Sequence, residues 1–358
     1  MSEFKRILIT KFRHHGDVLL TSPIFSILRT RYPNARIDAL VFSETQEMLS
    51  LHPAINNLYC VDRKWKKQGV LFLLHKELCL LRTLKNNRYD LIIHLTESMR
   101  GLWLALFSHS AQCITFANPR RDKLWLWKKY FTKRVPRIAL RHTVELHLDT
   151  LRALGIQPNL DERRLCLIPG EIAQKKVIEK LHHGDIDLQR PYIVIHPTSR
   201  WLFKCWSNRY LAEVINTLCI RGYQVVLSAA PDKQELALIN DLKTYLNHPV
   251  IDLAGQLSLK ELAALIMSAR LLIGVDSVPM HIAAAVQTPV VALFGPSGDK
   301  EWGPWMVKQR IVISTQHPCR PCGKDGCGGS KISDCLTQIT PHQVMLAVDS
   351  LLAETEVS

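Results

Sequence analysis

Short runs of β-branched and apolar residues alternate with helix-length stretches along almost the whole chain, and this alternation constrains the fold more than any other feature. Arg6 to Thr10, Ile37 to Phe42, Tyr89 to Leu95 and Cys113 to Phe116 read as strands. The rhythm restarts with Tyr192 to His196, Gln224 to Ala229, Val250 to Leu253, Leu271 to Val275, Val290 to Phe294 and Arg310 to Ser314. Helices such as Asn208 to Arg221 and Leu259 to Ser268 lie between them. Strands joined through helices pair in parallel by right-handed crossovers. The expected class is therefore α/β, with two Rossmann-like domains of parallel sheet and an active site in the cleft between them.

A chain of 358 residues exceeds what one core organises, which supports the same division. Helix Thr143 to Leu154 ends in Gly155, and a polar stretch leads into Pro169-Gly170. The domains are accordingly read as 1–168, 169–340 and a C-terminal helix and tail, 341–358. Thr340 suits an N-cap and Pro341 the first helical position of a helix through Leu352, with the last residues from Glu354 frayed. The apolar run Leu71 to Leu81 is broken by His75, Lys76 and Glu77, and Leu102 to Phe107 is too short to span a bilayer. Met1 to Thr10 carries no export signal, so the expected compartment is the cytoplasm, with ten cysteines kept from disulfide pairing.

Charge is distributed unevenly. Residues 1–165 hold 28 Lys and Arg against 14 Asp and Glu, whereas residues 166–358 hold 18 of each. All the excess positive charge lies in the first domain, which is expected to face a polyanion.

Three loops follow strands and carry chemistry. In His15-Gly16-Asp17, Gly16 permits a tight turn and close ligand approach, and Asp17 is placed either to accept a proton from a hydroxyl nucleophile or to cap the helix. In His196-Pro197-Thr198-Ser199 through Lys204, hydroxyls, backbone amides and an ammonium suit a diphosphate, with Lys204 neutralising the leaving group. In Asp276-Ser277 through His281, an acidic N-cap opens a small-residue helix whose amides favour phosphate, and the segment continues to a turn at Gly295-Pro296-Ser297.

These three stretches, in this order and spacing, resemble the lipopolysaccharide heptosyltransferases, glycosyltransferases of two-domain GT-B architecture, over essentially the whole chain. The Asp276-Ser277-x-x-x-His281 segment with Gly295-Pro296-Ser297 is the most specific part. The Cys-rich tail and the Arg200-Trp201 stretch make the chain most similar to the third type, which adds a branching heptose to the second heptose of the inner core.

The resemblance implies ADP-L-glycero-D-manno-heptose as donor, phosphorylated heptosyl-Kdo-lipid A as acceptor and inverting displacement with no cofactor and no obligatory metal. It makes Asp17 the general base, Thr198, Ser199 and Lys204 the diphosphate contacts, and Asp276, Ser277 and His281 the holders of donor sugar and phosphates. Leu257 matches a residue packed on adenine, Gly16 and Gly295 support the loops, and Asp232 or Glu235 would meet the ribose. Between Thr198-Ser199 and Lys204 the chain has one residue more than the first type of the family. The first and second types, acting on earlier acceptors, share these motifs, and a non-catalytic nucleotide-binding regulator would keep the donor loops while losing Asp17.

Basic runs at 63–67, 120–123 and 128–129, interleaved with Trp65, Trp125 and Trp127, suit the anionic cytoplasmic face of the inner membrane or the acceptor's phosphates. Arg63, Lys64, Arg120 and Arg121 are the acceptor candidates; the bland alternative is a solvated basic face with both tryptophans in the core. Cys319, Cys322, Cys327 and Cys335 leave open a structural zinc, reduced thiols or a disulfide formed after extraction. A nucleic-acid partner is not expected, because phosphate-loop architecture takes the place of any recognisable nucleic-acid module.

Overall fold

The computed structural model describes residues 3–356 other than 109, 185 and 188. The chain divides into two compact units, Met1–Cys166 and Leu167–Ser358, two residues before the expected change at 168/169.

The first unit is a six-stranded sheet of β1 (Arg6–Lys11), β2 (Arg36–Phe42), β3 (Asn57–Val61), β4 (Leu91–His94), β5 (Gln112–Phe116) and β6 (Lys133–Val135). Its spatial order is β3-β2-β1-β4-β5-β6, and every pair is parallel. The second unit repeats that order with β7 (Tyr192–His196), β8 (Gln224–Leu227), β9 (Ile251–Asp252), β10 (Leu271–Val275), β11 (Val290–Phe294) and β12 (Gln309–Ile313). Both faces of each central strand are covered, so β4, β7, β10 and β11 are buried throughout. This repetition of topology is invisible in the sequence, where no internal repeat can be aligned by eye.

The units therefore match the expected α/β class, with differences at the edges. Strands β3 and β6 were not expected from the sequence. Both lie at a sheet edge, where one side faces solvent and the residues stay polar: Asn57 and Tyr59 in one, Lys133 and Arg134 in the other. The C-terminal helix runs Pro341–Glu356, four residues past the expected end, and is no separate tail. Val344, Val348 and Leu351 sit in the core of the second unit, and Thr340 caps the helix by accepting from Gln343 N at 3.3 Å.

Candidate active site

In each unit the strand order reverses beside its first strand, between β1 and β4 and between β7 and β10. Loops leaving the carboxyl ends of such a pair diverge to opposite faces and open a crevice that receives ligands. The registers Thr10↔His94 and His196↔Gly274 bring the chemistry-bearing loops together at these two points.

In the first unit, helix His15–Leu19 follows β1 and places Asp17 in its first turn. Asp17 caps nothing: the N-cap is His14, with no side-chain cap bond, which removes the bland reading of this carboxylate. Gly16 is a buried helical residue instead of the expected turn glycine. The Asp17 side chain is 15% exposed and lies 3.8 Å from the Lys11 ammonium.

Beside these strands is a cavity of about 320 Å³ lined by Phe12, Phe42, Arg63, Lys66, Glu77 and Arg100 among others. The Arg63 guanidinium lies 4.0 Å over the Phe42 ring and 2.9 Å from Glu44. The Arg100 guanidinium lies 5.4 Å over Phe12 and 2.7 Å from Glu77. Of the four acceptor candidates only Arg63 lines this cavity; Lys64, Arg120 and Arg121 do not. Sequence reasoning missed Arg100, whose signal was its position just past the end of β4.

In the second unit the loop after β7 buries Thr198 and Ser199. The Thr198 hydroxyl donates to Glu235 Oε2 at 2.6 Å, and the same oxygen accepts from Ala230 N at 3.2 Å. Asp232 instead caps helix Lys233–Lys243, accepting from Gln234 N at 2.9 Å. Lys204 closes the loop in a 2.5 Å ion pair with Asp276, tying the segment after β7 to the segment after β10. Asp276 is therefore not the helix cap; that position belongs to Ser277, at the start of helix Val278–Ala285, with Pro279 in the first turn. His281 is buried in that helix. The His196 imidazole is held neutral by burial, its pKa pulled down to about 4.

Leu257 is half-buried between β9 and helix Leu259–Met267. At Gly295 a Cβ would come within 2.6 Å of the Leu336 side chain, while the Gly295 carbonyl accepts from Arg320 Nε at 2.6 Å. The glycine thus admits close packing of the C-terminal segment beneath the Pro296-Ser297 turn. The Lys204 ammonium, the Ser199 hydroxyl and a helix N-terminus gather around one switch point, chemistry suited to an anion.

Cys319, Cys322, Cys327 and Cys335 are free thiols, and among the described residues no group of three or more His, Cys, Asp or Glu side chains is arranged to hold a metal ion. Cys335 is buried beside Leu336, and burial pushes its thiol pKa up. Among the described residues no helix is long and apolar enough to cross a membrane.

Two doubly wound units, one with a carboxylate beside a cationic cavity and the other with polar loops at its switch point, define an α/β protein built like the two-domain group-transfer enzymes. Residues 78–332 match the profile of glycosyltransferase family 9 (heptosyltransferase). Lipopolysaccharide heptosyltransferase 3 from Escherichia coli is 38% identical over 82% of this chain and 84% of its own length, and the protein of that name from strain K12 is 39% identical over 82% and 83%. Lipopolysaccharide heptosyltransferase 1 of Pseudomonas aeruginosa is 26% identical over 98% of this chain and 99% of its own. Among solved structures, the glycosyl transferase family 9 protein of Veillonella parvula superposes with a TM-score of 0.83 at 25% identity, covering 98% of this chain and 97% of that one. The ADP-heptose lps heptosyltransferase II of E. coli gives 0.76 at 23% over 98% and 99%.

The chain belongs to glycosyltransferase family 9, the heptosyltransferases, and is a glycosyltransferase of GT-B architecture.

Proposed function

We propose that the chain transfers L-glycero-D-manno-heptose from ADP-heptose to the second heptose of the phosphorylated lipopolysaccharide inner core, with inversion and with Asp17 as general base. The observation that carries this reading is the 38–39% identity to lipopolysaccharide heptosyltransferase 3 over four-fifths of the chain, against 26% or less to type 1 and type 2 relatives.

In this mechanism the acceptor hydroxyl gives its proton to Asp17 as its oxygen bonds to the anomeric carbon from the face opposite ADP. The bond from that carbon to the diphosphate oxygen breaks, and ADP departs with the electron pair. Lys204, the Ser199 hydroxyl and the amides opening helix Val278–Ala285 oppose the charge growing on the diphosphate, with Thr198 joining them once its hydroxyl turns from Glu235. Releasing Lys204 toward that charge exchanges its Asp276 partner for the donor, which links donor binding to the loop pair. Of the two acidic candidates for the ribose, Glu235 is supported by its bond to Thr198, whereas the Asp232 carboxylate is spent on a helix cap. No cofactor takes part in this scheme.

The acceptor's phosphates would meet Arg63, Lys66 and Arg100 around the first unit's cavity. A peripheral position on the anionic cytoplasmic face of the inner membrane is supported by helix Val70–Asn86, of which only Leu84 is buried, and by exposed Leu71, Leu74, Trp103 and Trp125 near lysines 66, 67, 76 and 129.

The test is transfer from ADP-heptose to purified inner-core acceptors carrying no, one or two heptoses, read by mass spectrometry in wild type and Asp17→Ala. Addition only to the two-heptose acceptor, lost in the variant, is expected. Transfer to a shorter acceptor reassigns the protein to the first or second type, and ADP-heptose left unconsumed with every acceptor removes the donor assignment.

A further inference from the structure

The first unit buries a lysine that the transfer scheme leaves without a role. Lys11, the last residue of β1, is 5% exposed, and its ammonium lies 3.0 Å from His147 Nε2, 3.2 Å from the Leu95 carbonyl and 3.8 Å from Asp17 Oδ1. Burying an ammonium is costly unless its hydrogens and charge are both matched. The surroundings do both with different groups.

His147, on helix Thr143–Arg152, is buried, and its Nδ1 lies 3.0 Å from the Leu20 carbonyl. A carbonyl only accepts, so Nδ1 carries the ring proton and Nε2 presents a lone pair to Lys11. Burial holds this imidazole neutral, driving its pKa well below the ordinary value. The tautomer is thereby fixed by the backbone of the helix–turn that also carries Asp17. Lys11 donates to His147 and to Leu95, but 3.8 Å is too long for a hydrogen bond to Asp17. The carboxylate receives a charge without losing its lone pairs.

We propose that Lys11, aimed by His147, is the positioning residue for the catalytic carboxylate: its ammonium, held 3.8 Å from Oδ1, fixes the orientation of Asp17 while leaving both oxygens free for the acceptor hydroxyl. The inference rests on the reading of Asp17 as general base.

Other charges around Lys11 are accounted for. Glu97 favours its ammonium, while Arg13 and Arg137 disfavour it, and Arg137 is paired to Glu97 at 2.6 Å. On the neighbouring strand His94 is neutral, its pKa drawn down to about 3 by burial and then by Lys11 itself. Burial lowers the Lys11 pKa to about 8, with Asp17 the largest opposing influence, so the ammonium persists at neutral pH.

The experiment measures kcat and KM for wild type, Lys11→Met, His147→Leu, His147→Gln and Asp17→Asn, with ADP-heptose and the acceptor used by the wild type. Melting temperature and ADP affinity serve as folding controls.

Lys11→Met is expected to lower kcat about a hundredfold with donor KM within about twofold. His147→Leu, which leaves Lys11 without its acceptor, should lose about tenfold in kcat, and His147→Gln, whose amide oxygen still accepts, should recover most of it. A folded Lys11→Met with wild-type kcat, or a folded His147→Leu with wild-type kcat, overturns the proposal. Should Lys11→Met not fold, the two His147 variants decide. Turnover retained by Asp17→Asn would remove the base assignment and the proposal with it, whereas an inactive Asp17→Asn beside a wild-type kcat in Lys11→Met removes the proposal alone.

Discussion

At the residue scale, the site is built from pairs distant in sequence and adjacent in space. Lys204 meets Asp276, and Thr198 meets Glu235. Under the proposed mechanism Lys204→Met removes the ammonium that would oppose the leaving diphosphate, so kcat should fall about a hundred- to a thousandfold. Asp276→Asn keeps Lys204 but removes the partner that aims it, and should raise donor KM more than it lowers kcat; a larger fall in kcat than in Lys204→Met would argue that Asp276, not Lys204, carries the charge effect. The loops bearing these residues were legible because each follows a strand signal and mixes hydroxyls with a charge. Their partners were not. Lys11 and His147 are 136 positions apart, and what joins them is the β1-to-β4 reversal and the docking of helix Thr143–Arg152, neither of which a linear pattern encodes. Gly16 shows the opposite failure: a glycine beside a strand end reads as a turn, yet here it is buried in a helix.

At the element scale, the central strands were readable because both faces are covered and the residues run continuously apolar, as in Leu271–Val275 and Val290–Phe294. The edge strands β3 and β6 were not, because exposure lets polar residues break that pattern. Helix Trp125–Tyr130 separates two readings that its sequence could not: Trp127 is fully buried, its ring 4.4 Å from that of Phe131, while Trp125 is 67% exposed with the Lys129 ammonium 5.3 Å from its ring. Trp127→Ala should therefore destabilise the first unit by about 3–5 kcal/mol, and Trp125→Ala by no more than about 0.5 kcal/mol. Urea unfolding measures both. If the exposed face of helices Val70–Asn86 and Trp125–Tyr130 rests on lipid, Trp125→Ala should weaken sedimentation with vesicles rich in anionic phospholipid without lowering stability. Binding by the wild type should fall as salt rises and be absent with neutral vesicles, since its charge component acts over about a Debye length. Equal binding to neutral vesicles would sink the electrostatic part of that reading.

At the scale of the whole molecule, titratable groups buried against the sheets make stability depend on acidity in both units. His94 and His147 lie in the first unit and His196 in the second, all neutral and all with pKa values depressed by burial, to about 3 for His94 and about 4 for His196. Below pH 6.5 the unfolded imidazoles take up protons that the folded ones refuse. The unfolded state therefore binds more protons, and stability falls as pH drops through the window from 6.5 toward each folded value. The slope is about 1.4 kcal/mol per pH unit for each histidine, so between pH 6.5 and pH 5 each costs about 2 kcal/mol. Each unit therefore loses stability on acidification through at least one buried imidazole, His94 and His147 in the first and His196 in the second. His94→Gln keeps a polar group toward Thr10, whose hydroxyl lies 2.6 Å from His94 Nδ1, but removes the titration. Its absolute stability can fall, because the ring packs where a Cβ at Gly101 would lie 2.2 Å away, yet its loss of stability between pH 6.5 and pH 5 should shrink by about one histidine's share. Urea midpoints of wild type and variant at pH 7.5, 6.5 and 5 provide the comparison, and parallel curves for the two proteins would show that the buried imidazole of His94 is not what acid attacks.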